Sequence, residues 1–304
     1  MQDPQPDFHP LPGVPETLAP GLRRIVAPNP TPMTYRGTNT YLVGARGLAV
    51  IDPGPMIEAH LDAILAALTP DQRITHILVT HAHLDHAPLA RPLSEATGAP
   101  VLAFGDAASG RSAGMQALAE SGLVGGGEGV DAGFVPDLCL ADGAWLAGDG
   151  WQLEALHTPG HFGNHLSFAW GDVLFSGDIV MGWASSLVSP PDGDLTAFMA
   201  SLSRLAARRW SCFHPGHGAP VAAPGQRLSE LRDHRLMREA QILSALRSGA
   251  SDAAGLAARI YTETPAALLP AATRNVLAHL LALHASGRAR ALTGLSEKAM
   301  FEVT

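Results

Sequence analysis

Short apolar blocks separated by turn formers run through the first 220 residues and predict alternating strands and helices. Residues 22–27 form the first strand. Blocks 40–43 and 48–51 flank a Gly-bounded turn and predict a hairpin. Residues 59–68 show helical periodicity and stop at Thr69-Pro70. A β-branched run at 74–79 predicts a buried strand, followed by a helix over 89–97 that closes at Gly98 and a strand at 101–104. Further strands are expected at 139–140, 144–146 and 151–157, then a hairpin of 166–170 with 173–175. An amphipathic helix over 196–207 follows the turn at 190–194, and 212–214 is a last short strand. This order indicates an α/β (α+β) sheet architecture with covered faces.

Two stretches break the pattern. Residues 1–20 carry prolines at 4, 6, 10, 12, 15 and 20 and predict an extended lead over the surface. Residues 105–137 hold nine glycines and predict a partly helical loop lying over the functional site. Beyond residue 226 helices dominate, at 235–246, 253–261 and 271–283, with a β-wing at 287–292.

Composition narrows the picture. Hydrophobic residues make up 46% of the 304, enough for a sizeable core. The net charge of -8 argues against general nucleic-acid binding. Residues 1–226 hold ten basic and 21 acidic residues, whereas 227–304 hold ten basic and seven acidic. Cys139 and Cys212, far apart, make neither a disulfide framework nor a Cys-type zinc site. The first twenty residues lack a basic n-region and an apolar h-region, and no unbroken apolar run reaches 18 residues. The expectation is a cytoplasmic enzyme that meets no membrane.

The candidate chemistry begins at Thr80-His81-Ala82-His83-Leu84-Asp85-His86, directly after the strand at 74–79. Ligand side chains at a strand's exit sit on a loop that a rigid sheet holds still. His81 and His83 can converge on one ion as the chain leaves the strand, and Asp85 and His86 suit a second. Imidazole and carboxylate are ligands that zinc accepts. Three more strand ends carry the same residue types, at His161, Asp178 and His217. His161 and His217 each follow Pro-Gly, a turn that leaves a side chain at the sheet's rim.

The set Thr80 to His86, Thr158-Pro159-Gly160-His161, Ser176-Gly177-Asp178 and Pro215-Gly216-His217-Gly218 resembles the metallo-beta-lactamase-fold hydrolase superfamily across residues 22–220. The resemblance implies a four-layer αββα sandwich with the site at one edge. It implies that His81, His83 and His161 bind one zinc, that Asp85, His86 and His217 bind the other, and that Asp178 bridges them. Asp52 matches an aspartate that braces such sites. Arg36 to Gly44 and Ser189 to Leu195 resemble the beta-lactamase-like protein 2 group, and the tail is similar to the small winged-helix domain of that group. The expected domains are therefore a lead at 1–20, a catalytic domain at 21–226 and a winged-helix-like domain at 227–304. One departure is Ala87-Pro88, where many relatives have small Gly or Ser residues.

Related proteins include an endoribonuclease and thioester hydrolases of the glyoxalase II type. The reaction the resemblance implies is hydrolysis by a hydroxide shared between two Zn2+ ions, with Fe or Mn as other candidate metals. His83 stands where di-iron oxygen reductases usually have glutamate, which favours zinc hydrolysis. Asp85, as a ligand of the ion that steadies the nucleophile, belongs to the catalytic set. His165 is expected to donate a proton or hydrogen bond to substrate. The expected substrate is a small acyl compound of thioester or lactone type; the alternative is single-stranded RNA. RNA has thin support in the tail. Arg232, Arg235 and Arg238 share one sloping helical face, which is ordinarily solvated. The apolar helix at 271–283 suits core packing or a homodimer.

Overall fold

The computed structural model describes residues 3–123 and 129–304. Its centre is two sheets. Seven strands form the first, in chain order: β1 (Glu16–Ala19), β2 (Leu22–Val26), β3 (Asn39–Val43), β4 (Gly47–Ile51), β5 (Arg73–Leu78), β6 (Val101–Ala103) and β7 (Leu138–Cys139). β1 to β4 pair antiparallel and β4 to β7 parallel. The parallel half is fed by two crossover helices, α1 (Glu58–Ala66) and α2 (Ala90–Thr97). Gly98 closes α2 in the left-handed conformation, φ 72°. The second sheet runs in the order β12-β11-β10-β9-β8, with β8 (Trp145–Gly148), β9 (Trp151–His157), β10 (Leu166–Trp170), β11 (Val173–Gly177) and β12 (Cys212–Pro215).

The central strands are buried on both faces because both faces are covered. Tyr41, Val43, Ala49, Ile51 and Leu78 point inward and meet Leu153, Ala155, Leu166, Phe168 and Phe175 of the other sheet. Their alternating neighbours Leu42, Leu48, Val50 and Ile77 point outward, against Ile64 of α1 and Leu93 of α2. Leu156, Ala169, Leu174 and Phe213 do the same on the far side. They pack on Phe198, Leu202 and Leu205 of α4 (Leu195–Ala206) and on Leu228 and Leu231 of α5 (Pro224–Leu246). The result is the expected αββα sandwich. Asp194 caps α4, its Oδ1 accepting from Thr196 N at 2.8 Å.

After α5 come α6 (Ala253–Ile260), a 3-10 turn at Ala266–Leu268, α7 (Leu269–Ala285) and the hairpin of β13 (Ala289–Ala291) with β14 (Phe301–Val303). α7 with its preceding turn is long and apolar enough to cross a membrane. Val276, Leu277, Leu280 and Leu281 instead fill the tail's own core with Ile242, Leu256 and Phe301.

Four expectations change. The lead does not merely wander, because β1 pairs with β2 and Phe8 is buried. The Gly-rich stretch does contain a helix, α3 (Ala113–Glu120), which Met115 and Leu118 dock into the tail's core, while its residues 129–131 lie along the ligand loop, Leu84 N donating to Gly129 O at 2.7 Å and Asp131 N to Ala82 O at 2.8 Å. Residues 124–128 of that stretch lie outside the described residues. α5 starts at Pro224, eleven residues before the expected helix, and runs through position 227. Arg235 is not solvated. It is 3% exposed, while Arg232 is exposed and Arg238 half-buried, its guanidinium 4.3 Å from the Tyr261 ring centroid.

Candidate metal centre

The strand ends of both sheets meet at one rim. His81 and His83 leave β5, Asp178 leaves β11 and His217 leaves β12, while His161 lies in the turn between β9 and β10. Gly160 permits that turn to sit on α4: its φ is 143°, and a Cβ there would lie 2.3 Å from Phe198 Cα.

Two triads form. His81 Nε2 and His161 Nε2 lie 2.9 and 3.1 Å from His83 Nδ1. His217 Nε2 lies 3.3 Å from His86 Nε2 and 3.1 Å from Asp85 Oδ2, and the last two are 3.4 Å apart. Tetrahedral ligands at about 2.0–2.1 Å from an ion stand about 3.3–3.4 Å from one another, so each triad matches one face of such a site. Asp178 Oδ2 reaches both, at 3.3 Å from His217 Nε2 and 3.8 Å from His161 Nε2. Asp178 Oδ1 is buried and has no hydrogen-bond partner. A buried carboxylate oxygen without a donor is costly unless a cation meets it. The donor set and this oxygen fit a divalent-metal centre, and all seven residues expected as ligands are gathered there.

The other ring nitrogens are held from behind. His86 Nδ1 donates to Asp52 Oδ2 at 2.9 Å, and Thr80 Oγ1 donates to the same oxygen at 2.8 Å. His81 Nδ1 lies 2.9 Å from Thr80 Oγ1. His161 Nδ1 donates to Leu187 O at 2.7 Å and His217 Nδ1 to Gly37 O at 3.2 Å. Each bond leaves the Nε2 lone pair facing inward. Asp52 therefore braces the site as expected, through Thr80 and His86. Thr80 was visible in the motif but had no assigned part. The carbonyls of Gly37 and Leu187 come from distant loops and leave no signal in the sequence.

Burial holds His81 and His83 far below the ordinary imidazole value, His83 at about 3, so both are neutral ligands. Burial works against charge on His217 too, but Asp178 and Asp85 overcome it and lift the ring to about 10. Burial raises Asp85 and Asp178, yet the neighbouring His86 and His217 hold both carboxyls well below their usual value. Two buried carboxylates thus require positive charge beside them, which a divalent cation supplies.

His165 does not face a substrate. It is fully buried, its Nδ1 lies 3.0 Å from Thr158 Oγ1, and its Nε2 accepts from Asp178 N at 3.1 Å. Both nitrogens are thus engaged inside the wall, where the ring holds the Asp178 backbone N–H.

The cluster opens into a cavity of about 410 Å³. Beyond the ligands its wall, among the described residues, is Met33, Met181, Leu187, Leu268 and their small neighbours, with no arginine or lysine. Leu268, Pro270 and Ala271 belong to the tail, so the C-terminal region shapes the entrance.

Comparison with known proteins agrees with this geometry. Residues 33–238 match the metallo-beta-lactamase superfamily, and residues 253–296 match the beta-lactamase associated winged helix domain. A beta-lactamase-like protein 2 homolog of Drosophila melanogaster is 29% identical over 92% of this chain and 94% of its own length. An atrochrysone carboxyl ACP thioesterase of Aspergillus chevalieri is 30% identical over 81% of this chain and 72% of its own. A beta-lactamase domain protein from Burkholderia ambifaria superposes with a TM-score of 0.81 at 24% identity, over 99% of this chain and 96% of that one. The His/Asp rim, the αββα layers and these matches together make the chain a hydrolase of the metallo-beta-lactamase superfamily, with an appended beta-lactamase associated winged helix domain.

Proposed function

We propose that this chain is a dinuclear zinc hydrolase of small acyl substrates, of thioester or lactone type. The observation that carries the reading is the pair of triads with Asp178 between them, at the floor of a cavity whose described lining is otherwise apolar and holds no lysine or arginine. His81, His83 and His161 would hold one ion, Asp85, His86 and His217 the other, and Asp178, within reach of both triads, would be shared between them. When bound, such a pair supplies a hydroxide at neutral pH and draws charge from the substrate's carbonyl oxygen.

The chain's own residues do the rest. Asp52, Leu187 and Gly37 fix the imidazole tautomers, so the donors need no reorganisation. Met33, Met181, Leu187 and Leu268 give an acyl chain an apolar wall. The thioesterase-named relative supports acyl hydrolysis, and the charge pattern of the wall supports an uncharged acyl group over a polyanion. A nucleic acid draws its affinity mainly from Lys and Arg contacts to phosphates, and the cavity wall offers none.

The test is hydrolysis of a thioester and lactone panel and of a single-stranded RNA oligomer by the zinc-loaded chain, with and without a chelator. Chelator-sensitive cleavage of an acyl substrate is expected. Cleavage of RNA alone would refute the acyl reading.

A further inference from the structure

Two of the residues that face the candidate ions, one by its side chain and one by its backbone, are held by one short segment, and the tail holds that segment. His161 Nδ1 donates to Leu187 O at 2.7 Å, and Ser186 Oγ donates to Asp178 O at 2.5 Å. Residues 186–188 lie in the connection between β11 and α4, outside any helix or strand, so no ladder fixes them. Their anchors come from α5 and α7. Arg235 Nη2 donates to Ser186 O, and Arg235 Nη1 donates to Asn275 Oδ1 at 3.0 Å. Val188 N donates to the same Asn275 oxygen at 3.0 Å. The Arg235 guanidinium also lies 4.9 Å from the Phe198 ring centroid, which fixes its plane against α4.

We propose that Arg235 and Asn275 are positioning residues for the metal centre. They clamp residues 186–188, and through Leu187 O and Ser186 Oγ they fix His161 and Asp178. The inference rests on the reading of the cluster as a metal centre. It makes the winged-helix region part of that centre's scaffold rather than an independent appendage. A guanidinium suits the task because its rigid fork meets two acceptors at once, whereas a lysine ammonium meets them as a flexible point. Neither residue touches substrate or metal, so the effect passes through ligand orientation.

Zinc stoichiometry and affinity, measured on the full chain by competition with a chromophoric chelator, test this. Arg235→Met is expected to weaken zinc binding by about 10–100-fold, the range typical of lost partners behind metal ligands, and Arg235→Lys to recover part of it. Leu256→Ala serves as the control. Leu256 is fully buried in the tail's own core and does not touch residues 186–188, so its loss should lower the melting temperature and leave zinc affinity within about twofold. Equal affinity in folded Arg235→Met and wild type overturns the proposal. So does an equal loss in Leu256→Ala, since general loosening would then explain both. Should Arg235→Met fail to fold, Ser186→Ala decides: it keeps the clamp, removes the bond to Asp178, and is expected to weaken zinc, with unchanged affinity overturning the proposal. A wild-type chain that binds no divalent metal refutes the metal reading itself, and that result is distinguishable because it needs no variant.

Discussion

A Cβ on Gly216 would lie 2.3 Å from Asp178 Oδ1, the buried oxygen that has no hydrogen-bond partner. It would also lie 2.7 Å from His86 Cε1. Gly216 has no left-handed backbone to protect, so its smallness serves the space around the carboxylate. The prediction is that Gly216→Ala folds with native circular dichroism but displaces Asp178 and His86. Zinc affinity should fall at least about tenfold, as when a ligand's support is lost. Unchanged zinc binding would show that the carboxylate has room elsewhere.

Asp52 offers a second test. Its φ of 51° is a left-handed conformation that asparagine tolerates, so Asp52→Asn spares the backbone. The substitution replaces one acceptor oxygen with an amide that repels either the Thr80 N–H or the donors at Oδ2, His86 Nδ1 and Thr80 Oγ1. Metal-dependent activity is expected to drop about 10–100-fold, with metal content falling in parallel. A drop in activity at full metal occupancy would instead move Asp52 into the chemistry.

Much of this site was legible because its ligands sit at strand ends, where period-two apolar runs stop and Pro-Gly or Ser-Gly turns begin. The run in β4 is apolar and buried on both faces, so its burial could be read without a partner in view. What could not be read depends on tertiary contact. β1 is held by pairing of Glu16 with Arg24 across the ladder and by Leu18 and Ala19 against the inter-sheet core, contacts that a four-residue run does not announce. The first turns of α5 are mostly polar, with only Leu228 and Leu231 reaching the core beside Pro224, so the helix hides in a loop-like sequence. Arg235 has the spacing of a solvated face, and only the packing of α4 and α7 around it makes it a buried clamp. His165 follows a turn in the manner of a donor to substrate, yet the hairpin turns its ring inward to Asp178 N.

Leu268 is the largest side chain the tail gives to the cavity wall, which also holds Met33, 45% exposed. Leu268→Trp should fill part of the 410 Å³ cavity and shorten the longest acyl chain accepted. One methylene in an apolar pocket is worth about 1–3 kcal/mol of discrimination, so kcat/KM should fall about tenfold or more for the longest substrate and little for the acetyl one. A uniform fall across chain lengths would place the acyl group elsewhere. The readout is kcat/KM over a series of thioesters that differ only in acyl length.

His60 and His279 are buried away from the metal cluster, and burial lowers their folded pKa values to about 4 and about 3. An unfolded imidazole titrates near 6.5. Between these values the unfolded chain binds protons that the folded chain refuses. Their share of stability is therefore complete above about pH 6.5 and is lost as pH falls toward 4, at about 1.4 kcal/mol per pH unit for each ring. The two rings differ in one respect. His60 Nε2 donates to Thr40 Oγ1 at 2.8 Å, whereas neither nitrogen of His279 has a hydrogen-bond partner. His279→Leu keeps a similar volume and removes an unpaired polar ring from an apolar helix, so it should stabilise the fold at neutral pH as well. At pH 5 the variant should gain about 2 kcal/mol more over wild type than at pH 7.5, the pH-linked part of the ring's cost. Urea denaturation at the two pH values measures this. An equal gain at both would mean that His279 already carries its proton in the folded chain at pH 5.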